Sequence, residues 1–171
     1  YKDGNLPHHL EAMKIALEEV GKEVTVTGAL TCPFTTASFL IGAENLVRLT
    51  LKNPEAVHKL CKVSLETGLR YAKAIIDIGC TPSLTDPMSS STIISPRQFK
   101  EFSFPYLKTL IDYIHSRGKP VTLHICGKTA RIWELMADAG ADCISIDNDA
   151  DLYEAKIKVG HRVRLMGNVK P

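Results

Sequence analysis

The fold is decided by the stretch Gly118-Lys-Pro-Val-Thr-Leu-His-Ile-Cys126, in which a glycine is followed by a short apolar run. Glycine suits the left-handed position that ends a helix, and the β-branched residues after it favour a strand. The same order of helical pattern, glycine and apolar strand occurs five times along the chain. The glycines concerned are Gly21, Gly79, Gly118, Gly140 and Gly160. Five such units in series predict a parallel sheet with crossover helices.

Polar residues are found toward the end of each predicted strand, which we place at residues 24–28, 81–86, 121–126, 143–147 and 163–168. In a (β/α)₈ barrel the catalytic groups cluster at the carboxyl ends of the strands. A doubly wound nucleotide-binding sheet would instead need a glycine-rich first turn, and none of these strands is followed by one. We therefore predict an α/β fold of the barrel type, with an open parallel α/β sheet as the alternative. The predicted rim residues are Thr27, Asp86, His124, Cys126, Asp147 and Asn168.

The length of the chain predicts part of such a barrel. A (β/α)₈ barrel typically has eight strands and about 250 residues, whereas this chain has 171 residues and five predicted strands. We expect residues 1–171 to form a single partial barrel domain that lacks the first strands and the last strand.

Composition restricts the classes of function and the compartment. The net charge of +2 gives no reason to expect nucleic acid or a membrane as a partner, and no signal peptide or transmembrane run is found. Five cysteines without paired spacing indicate reduced thiols. These features predict a cytoplasmic protein.

Local signals predict the helices and the role of several side chains. Asn53-Pro54 and Ser95-Pro96 are helix starts, and Pro105 predicts a kink in the helix that follows Pro96. Apolar residues between 57 and 76 recur at helical spacing and predict core positions. We expect Cys61 and Cys143 to be core thiols, Cys32 to lie in a loop, and five histidines to be solvated. These histidines are His8, His9, His58, His115 and His161.

His124 and Cys126 form the strongest candidate site. Side chains two residues apart in a strand point to the same side of the sheet, and imidazole with thiolate is a ligand pair that zinc prefers. The alternative is a chance pairing, because a buried cysteine often packs as a small apolar residue and a zinc site needs at least three protein ligands.

A second candidate lies directly after this pair. Cys126-Gly-Lys-Thr129 resembles the end of a phosphate-binding loop, but position 122 is threonine where that motif requires glycine. We therefore exclude a nucleotide triphosphatase. Gly127 and Lys128 could still bind an anionic group at the start of a predicted helix, and a plain strand-to-helix turn is an equally good explanation.

The motifs together resemble the uroporphyrinogen decarboxylase superfamily in matching order over nearly the whole chain. His124-x-Cys126 is similar to the zinc-dependent branch, the methylcobamide:coenzyme M methyltransferases, whereas the decarboxylases lack this pair. The matching segments are Gly28-Ala-Leu-Thr-Cys-Pro-Phe-Thr35, Asp86-Pro-Met-Ser-Ser90, Ile94-Ser-Pro-Arg-Gln-Phe99, Phe104-Pro-Tyr-Leu107, Leu123-His-Ile-Cys-Gly127, Ile144-Ser-Ile-Asp147 and Met166-Gly-Asn-Val-Lys-Pro171.

The resemblance implies a (β/α)₈ barrel of which this chain covers about the third to seventh strands. It also implies Zn²⁺ bound by His124, Cys126 and a further cysteine beyond Pro171, so that the isolated segment would bind zinc weakly. Cys143 cannot substitute, because it starts its strand at the far end of the sheet. The implied reaction moves a methyl group from a methylated corrinoid (methylcobamide), carried by a corrinoid protein, to a zinc-activated thiol such as coenzyme M.

The roles of the other rim residues have alternatives. Asp86, Asp147 and Asn168 are candidate catalytic residues that could orient a ligand or hydrogen-bond the second nitrogen of His124, or could cap the following helices. Thr27, Gly127 and Lys128 are candidate cofactor-binding residues. Two other functions stay open: a tetrapyrrole decarboxylase and a barrel that binds a corrinoid protein without catalysis. Basic residues near the rim fit either a sulfonate or carboxylates, and they are Arg97, Lys128 and Arg131.

Overall fold

The computed structural model describes residues 2–170, which form one five-stranded parallel sheet flanked by helices. The strands follow one another across the sheet in chain order. They are β1 (Thr27–Thr31), β2 (Thr81–Thr85), β3 (Thr122–Ile125), β4 (Cys143–Ile146) and β5 (Arg164–Met166). This is the order expected of successive βα units in the predicted barrel.

Helices separate the strands and cover one side of the sheet. Two short irregular helices accompany them, a 3₁₀ turn at Pro87–Ser89 and a π turn at Phe99–Ser103. The α-helices are α1 (Leu6–Val20), α2 (Pro33–Ile41), α3 (Ala43–Lys52), α4 (Pro54–Asp77), α5 (Pro96–Gln98), α6 (Phe104–Ser116), α7 (Trp133–Asp138) and α8 (Leu152–Val159). Within residues 2–170, no helix combines the length and the apolar character needed to cross a bilayer.

The two faces of the sheet have different chemistry. Alternate strand residues are buried in the apolar core with the helices: Leu30, Leu84, Leu123, Ile125, Ile144 and Ile146. The residues between them form the polar face, on which Thr85 pairs with His124 and His124 pairs with Ser145 across β2, β3 and β4. These three side chains are only partly buried. The period of two in the strands therefore separates a core face from a face available for a site.

The first strand starts three residues later than predicted, and this moves Thr27. Thr27 is the first residue of β1 and pairs with Thr81 at the amino end of the sheet, whereas Thr31 lies level with Thr85 and His124. The prediction that Thr27 lies at the carboxyl rim is wrong. Gly28 does not end the strand: a Cβ there would lie 2.6 Å from the Met13 sulfur, so glycine allows α1 to pack closely.

The capping signals are largely confirmed. Asn53 accepts a hydrogen bond from the Ala56 N–H, and Ser95 forms a capping box with Gln98. Three of the five glycines after helices have positive φ angles, but Gly21 and Gly160 have φ of −64° and −69°. The left-handed ending predicted for those two glycines is wrong, because their helices end in a right-handed conformation.

The predicted interruption near Pro105 takes the form of the π turn between α5 and α6. Proline has no N–H to donate and its ring crowds the carbonyl four residues earlier, which is that of Glu101 in the π turn. The wider turn moves the chain away from this clash and lets the helical direction continue into α6.

The cysteines and histidines correct several predictions. Cys61 and Cys143 are buried as predicted, and burial raises the pKa of Cys61 to about 12. Cys32 lies in the connection between β1 and α2, as predicted, but it is fully buried there at the N-cap position of α2. His58 is not simply solvated, because its Nδ1 lies 2.8 Å from the Tyr106 hydroxyl. His115 is exposed, as predicted, although its Nε2 lies 2.8 Å from an Asp142 carboxylate oxygen.

Candidate metal centre

His124 and Cys126 come together on the polar face at the carboxyl end of β3. The Nε2 atom of His124 lies 3.2 Å from the Sγ atom of Cys126, and both side chains are partly buried. The alternation along β3 brings them to one side, as the spacing predicted. A site with access to solvent can therefore form between a nitrogen and a sulfur atom.

The other ring nitrogen of His124 is held by a residue that the sequence analysis missed. Its Nδ1 lies 3.0 Å from the Ser145 hydroxyl on β4. Asp86, Asp147 and Asn168 were predicted as possible partners of this nitrogen, and none of them makes that contact. The available signal was the pair Ser145 and Asp147, which repeats on β4 the two-residue spacing of His124 and Cys126.

Asp147 fixes the turn that follows Cys126. Its carboxylate accepts hydrogen bonds from the backbone N–H groups of Gly127 at 2.6 Å and of Asn148 at 2.7 Å. These bonds hold the pKa of Asp147 below its ordinary value, and the nearby His124 adds to the effect. The Gly127 N–H is therefore already engaged by a carboxylate.

The predicted anion site at Gly127 and Lys128 is not supported by this geometry. The next helix, α7, begins only at Trp133 and has six residues, so no helix N-terminus follows Gly127 directly. Lys128 is exposed, and its carbonyl accepts a hydrogen bond from the Ser91 N–H at 3.0 Å. The plain turn, the alternative given above, describes this segment.

Gly127 is also confined on its other side. Its φ is +68°, and a Cβ there would lie 2.9 Å from Thr92 Oγ1 and 3.1 Å from Ser90 Oγ. Only glycine adopts this conformation without strain, and no side chain fits between the two hydroxyls. The turn next to Cys126 is thus fixed by the β4 carboxylate and by the loop that follows β2.

Asp86 lies at the end of β2 as predicted, but it is fully buried and does not face His124. Its carboxylate accepts hydrogen bonds from the hydroxyls of Thr35, Ser89 and Ser103 at 2.6, 2.5 and 2.8 Å. It also accepts a hydrogen bond from the Thr35 N–H at 3.3 Å, which satisfies a donor in the first turn of α2, the helix that follows β1. Burial raises the pKa of Asp86 despite these bonds. Its contacts join four elements of the fold; a catalytic role stays a prediction.

The raised pKa of Asp86 predicts a pH dependence of stability. The folded protein keeps this proton to a higher pH than the unfolded chain, whose carboxyl has the ordinary pKa of 3.8. The free energy of unfolding of the wild type, relative to that of Asp86→Asn, therefore falls as the pH rises from 3.8 toward the raised pKa of the folded protein. Above that raised pKa the difference stays constant. Urea unfolding of both proteins from about pH 4 to about pH 8 measures the difference. A difference that is constant or grows with pH would contradict the raised pKa.

Asn168 follows β5, and its side chain forms hydrogen bonds with the loop after β4. Its side-chain amide donates to the carbonyl oxygen of Asp147 at 3.2 Å and to that of Ala150. The helix that follows β4 is capped by Asp151, so Asp147 does not cap α8. Within residues 2–170 no helix follows Asn168, so its capping role stays a prediction. The catalytic roles proposed for Asp147 and Asn168 stay predictions, while their observed contacts hold the rim in place.

The His124 and Cys126 pair fits two positions of a zinc site. Ligand atoms of one tetrahedral zinc, at about 2.0 Å for nitrogen and 2.3 Å for sulfur, lie about 3.5 Å apart, close to the observed 3.2 Å. Burial, and secondarily the charge of Asp147, raise the pKa of Cys126, so a nearby cation is needed to favour its thiolate. Among residues 2–170, no group of three or more His, Cys, Asp or Glu side chains is placed to hold a metal.

Comparison with known proteins identifies the family. The uroporphyrinogen decarboxylase (URO-D) family profile matches residues 1–171, so this chain belongs to that family. A methylcobamide:CoM methyltransferase (MtaA) of Methanosarcina barkeri is 33% identical over 167 residues, covering 96% of this chain and 48% of the relative. A uroporphyrinogen decarboxylase of Carboxydothermus hydrogenoformans is 32% identical over 173 residues, covering 98% and 49%.

A solved structure confirms the architecture. A methyltransferase from Methanosarcina mazei superposes with a TM-score of 0.91 at 29% identity, covering 98% of this chain and 50% of that protein. The prediction of a partial (β/α)₈ barrel is confirmed at the level of an α/β fold whose five parallel strands match part of a family barrel. The chain spans about half the length of the curated relatives it matches.

Proposed function

We propose that this protein is a methyltransferase that moves a methyl group from a methylated corrinoid to a thiol held at the His124 and Cys126 site. The observation that carries the proposal is the 3.2 Å approach of His124 Nε2 and Cys126 Sγ on the open polar face. Relatives named as methylcobamide:CoM methyltransferases support it, and coenzyme M is the thiol we propose.

His124 and Cys126 would hold Zn²⁺ together with a third protein ligand from outside residues 2–170. When bound, zinc would supply the positive charge that lowers the pKa of a coordinated thiol, so that the thiol loses its proton. The thiolate sulfur would form a bond to the methyl carbon while the carbon–cobalt bond of the corrinoid substrate breaks. The electron pair of that carbon–cobalt bond would stay on cobalt. Ser145 orients the His124 ring, and the fixed turn at Gly127 keeps Cys126 in place.

The polar face favours this reaction over decarboxylation of a tetrapyrrole. A substrate with many carboxylates needs several cations around it, whereas hydroxyls surround His124 on both neighbouring strands, from Thr85 and Ser145. The exposed Arg97, Lys128 and Arg131 lie in α5 and in the loop before α7. Decarboxylation of a tetrapyrrole is the second candidate function, because some relatives of this chain are named as uroporphyrinogen decarboxylases.

Zinc content tests the proposal. We expect near-stoichiometric zinc in the purified full-length protein by elemental analysis, and loss of that zinc in His124→Ala and in Cys126→Ala, because each removes a ligand atom. Methyl transfer from methylcobalamin to coenzyme M should be lost in the same two variants.

Two matched controls separate ligand loss from general damage. His161→Ala removes an exposed histidine, and Cys143→Ala removes a thiol at the opposite end of the sheet, so both should retain zinc. A folded protein without zinc, or zinc that persists in both site variants, would overturn the proposal and favour decarboxylation or metal-independent corrinoid-protein binding.

A further inference from the structure

Strand β4 carries a second pair of polar residues beside the first. His124 pairs with Ser145 in the parallel register, and Cys126 and Asp147 each lie two residues further along the chain, directly after β3 and β4 end. Ser145 contacts the His124 ring, and Asp147 contacts the residue after Cys126. Each member of the pair on β3 thus has its own partner on β4.

The Ser145 hydroxyl selects which nitrogen of His124 faces the site. Nδ1 lies 3.0 Å from Ser145 Oγ, while Nε2 faces Cys126 Sγ. A neutral imidazole carries one proton, and an Nδ1–H that donates to Ser145 leaves the Nε2 lone pair free for a metal. The hydroxyl also restricts rotation of the ring, which lowers the conformational entropy lost on coordination.

Asp147 acts on Cys126 through the backbone. Its carboxylate accepts a hydrogen bond from the Gly127 N–H at 2.6 Å, and this bond fixes the peptide group between Cys126 and Gly127. The bond from the Asn148 N–H fixes the carboxylate in turn. Because Gly127 is also confined by Ser90 and Thr92, the Cys126 Cα has little freedom to move away from His124.

We propose that Ser145 and Asp147 are positioning residues of the metal centre, Ser145 by orienting the His124 ring and Asp147 by fixing the turn that carries Cys126. This inference rests on the proposed function, since it concerns metal binding by His124 and Cys126. Ser145 makes the contact with the His124 ring, and Asp147 makes the contact with Gly127, the residue after Cys126.

Metal affinity tests the inference without reference to activity. We expect Ser145→Ala to weaken Zn²⁺ binding about 10- to 100-fold in a competition titration with a chromogenic chelator, as loss of a hydrogen-bonding partner of a metal ligand typically does. Ser145→Thr keeps the hydroxyl and should restore affinity. Asp147→Ala should also weaken binding, and Asp147→Asn should lose less because its amide oxygen still accepts from Gly127.

A matched control lies on the same face of the sheet. Ser83 is a partly buried serine of β2 that pairs with Thr122, so Ser83→Ala removes a hydroxyl that does not reach His124. It should leave zinc affinity unchanged. The absorption spectrum of the Co²⁺-loaded protein gives a second readout, because the geometry around cobalt should change in Ser145→Ala and not in Ser83→Ala.

The outcomes distinguish this inference from the function on which it rests. A wild-type protein that binds neither Zn²⁺ nor Co²⁺ overturns the proposed function and the inference with it. Wild-type binding with unchanged affinity in folded Ser145→Ala and Asp147→Ala overturns the inference alone. Equal losses in Ser145→Ala and Ser145→Thr also contradict it, because the hydroxyl would then not be the group responsible.

Discussion

Replacing Asp86 with alanine is expected to lower the free energy of unfolding by about 3 to 5 kcal/mol, a large part of the stability of a typical domain. The change leaves the buried hydroxyls of Thr35, Ser89 and Ser103 without their shared acceptor, and it frees the Thr35 N–H. Each buried polar group that loses its partner costs about 1 to 3 kcal/mol. The Ser89 and Ser103 hydroxyls can still bond to each other, which limits the total.

Urea unfolding measures this effect, and Asp112→Ala is its control. Asp112 forms an exposed ion pair with Lys108 within α6, so its loss should change stability by only about 0.5 kcal/mol. Similar effects of the two substitutions would show that the Asp86 network does not hold the fold together.

Replacing Trp133 with alanine is the second large effect that we expect, at about 3 to 5 kcal/mol. Trp133 is 1% exposed, and its indole N–H donates to the buried Thr129 hydroxyl at 2.9 Å. The substitution opens a cavity at the start of α7 and releases the segment that connects this helix to the candidate metal centre. Thermal unfolding followed by circular dichroism measures the loss.

Two further variants separate the sources of the Trp133 effect. Trp133→Phe keeps most of the ring and should cost about 1 to 3 kcal/mol through the unpaired Thr129 hydroxyl. Phe39→Ala removes an aromatic side chain that is 73% exposed, and it should change stability by about 0.5 kcal/mol or less. If Trp133→Ala were no worse than Phe39→Ala, the packing described for α7 would be wrong.

The sequence was a good guide to the fold because its signals are local. A glycine, a short apolar run and a polar end residue recur with each strand, and four of the five strands overlap their predicted positions closely. The misplacement of Thr27 has a specific cause. Alternation over residues 24–28 fits a strand as well as the observed one does. The observed position depends on the pairing of Thr27 with Thr81 in β2 and on the close packing of Gly28 against α1, which no local pattern states.

The candidate site was only partly predictable. His124 lies in β3 and Cys126 directly follows that strand, so their spacing alone brings them together. Ser145 is 21 positions away from His124, and its contact depends on the register between β3 and β4, which no local pattern states. The buried partners of Asp86 come from three separate helical segments, and for the same reason they could not be named in advance.

The division of the sheet into two faces has an evolutionary consequence. The side chains of the candidate site, His124 and Cys126, project from the polar face, while the apolar side chains that pack against the helices project from the other. Exchanging His124 and Cys126 for other side chains changes the chemistry and leaves the helix-packed side untouched. The two faces can therefore change independently, and substitutions at the candidate site are expected to leave the packing of the helices, and with it the stability of the fold, unaltered.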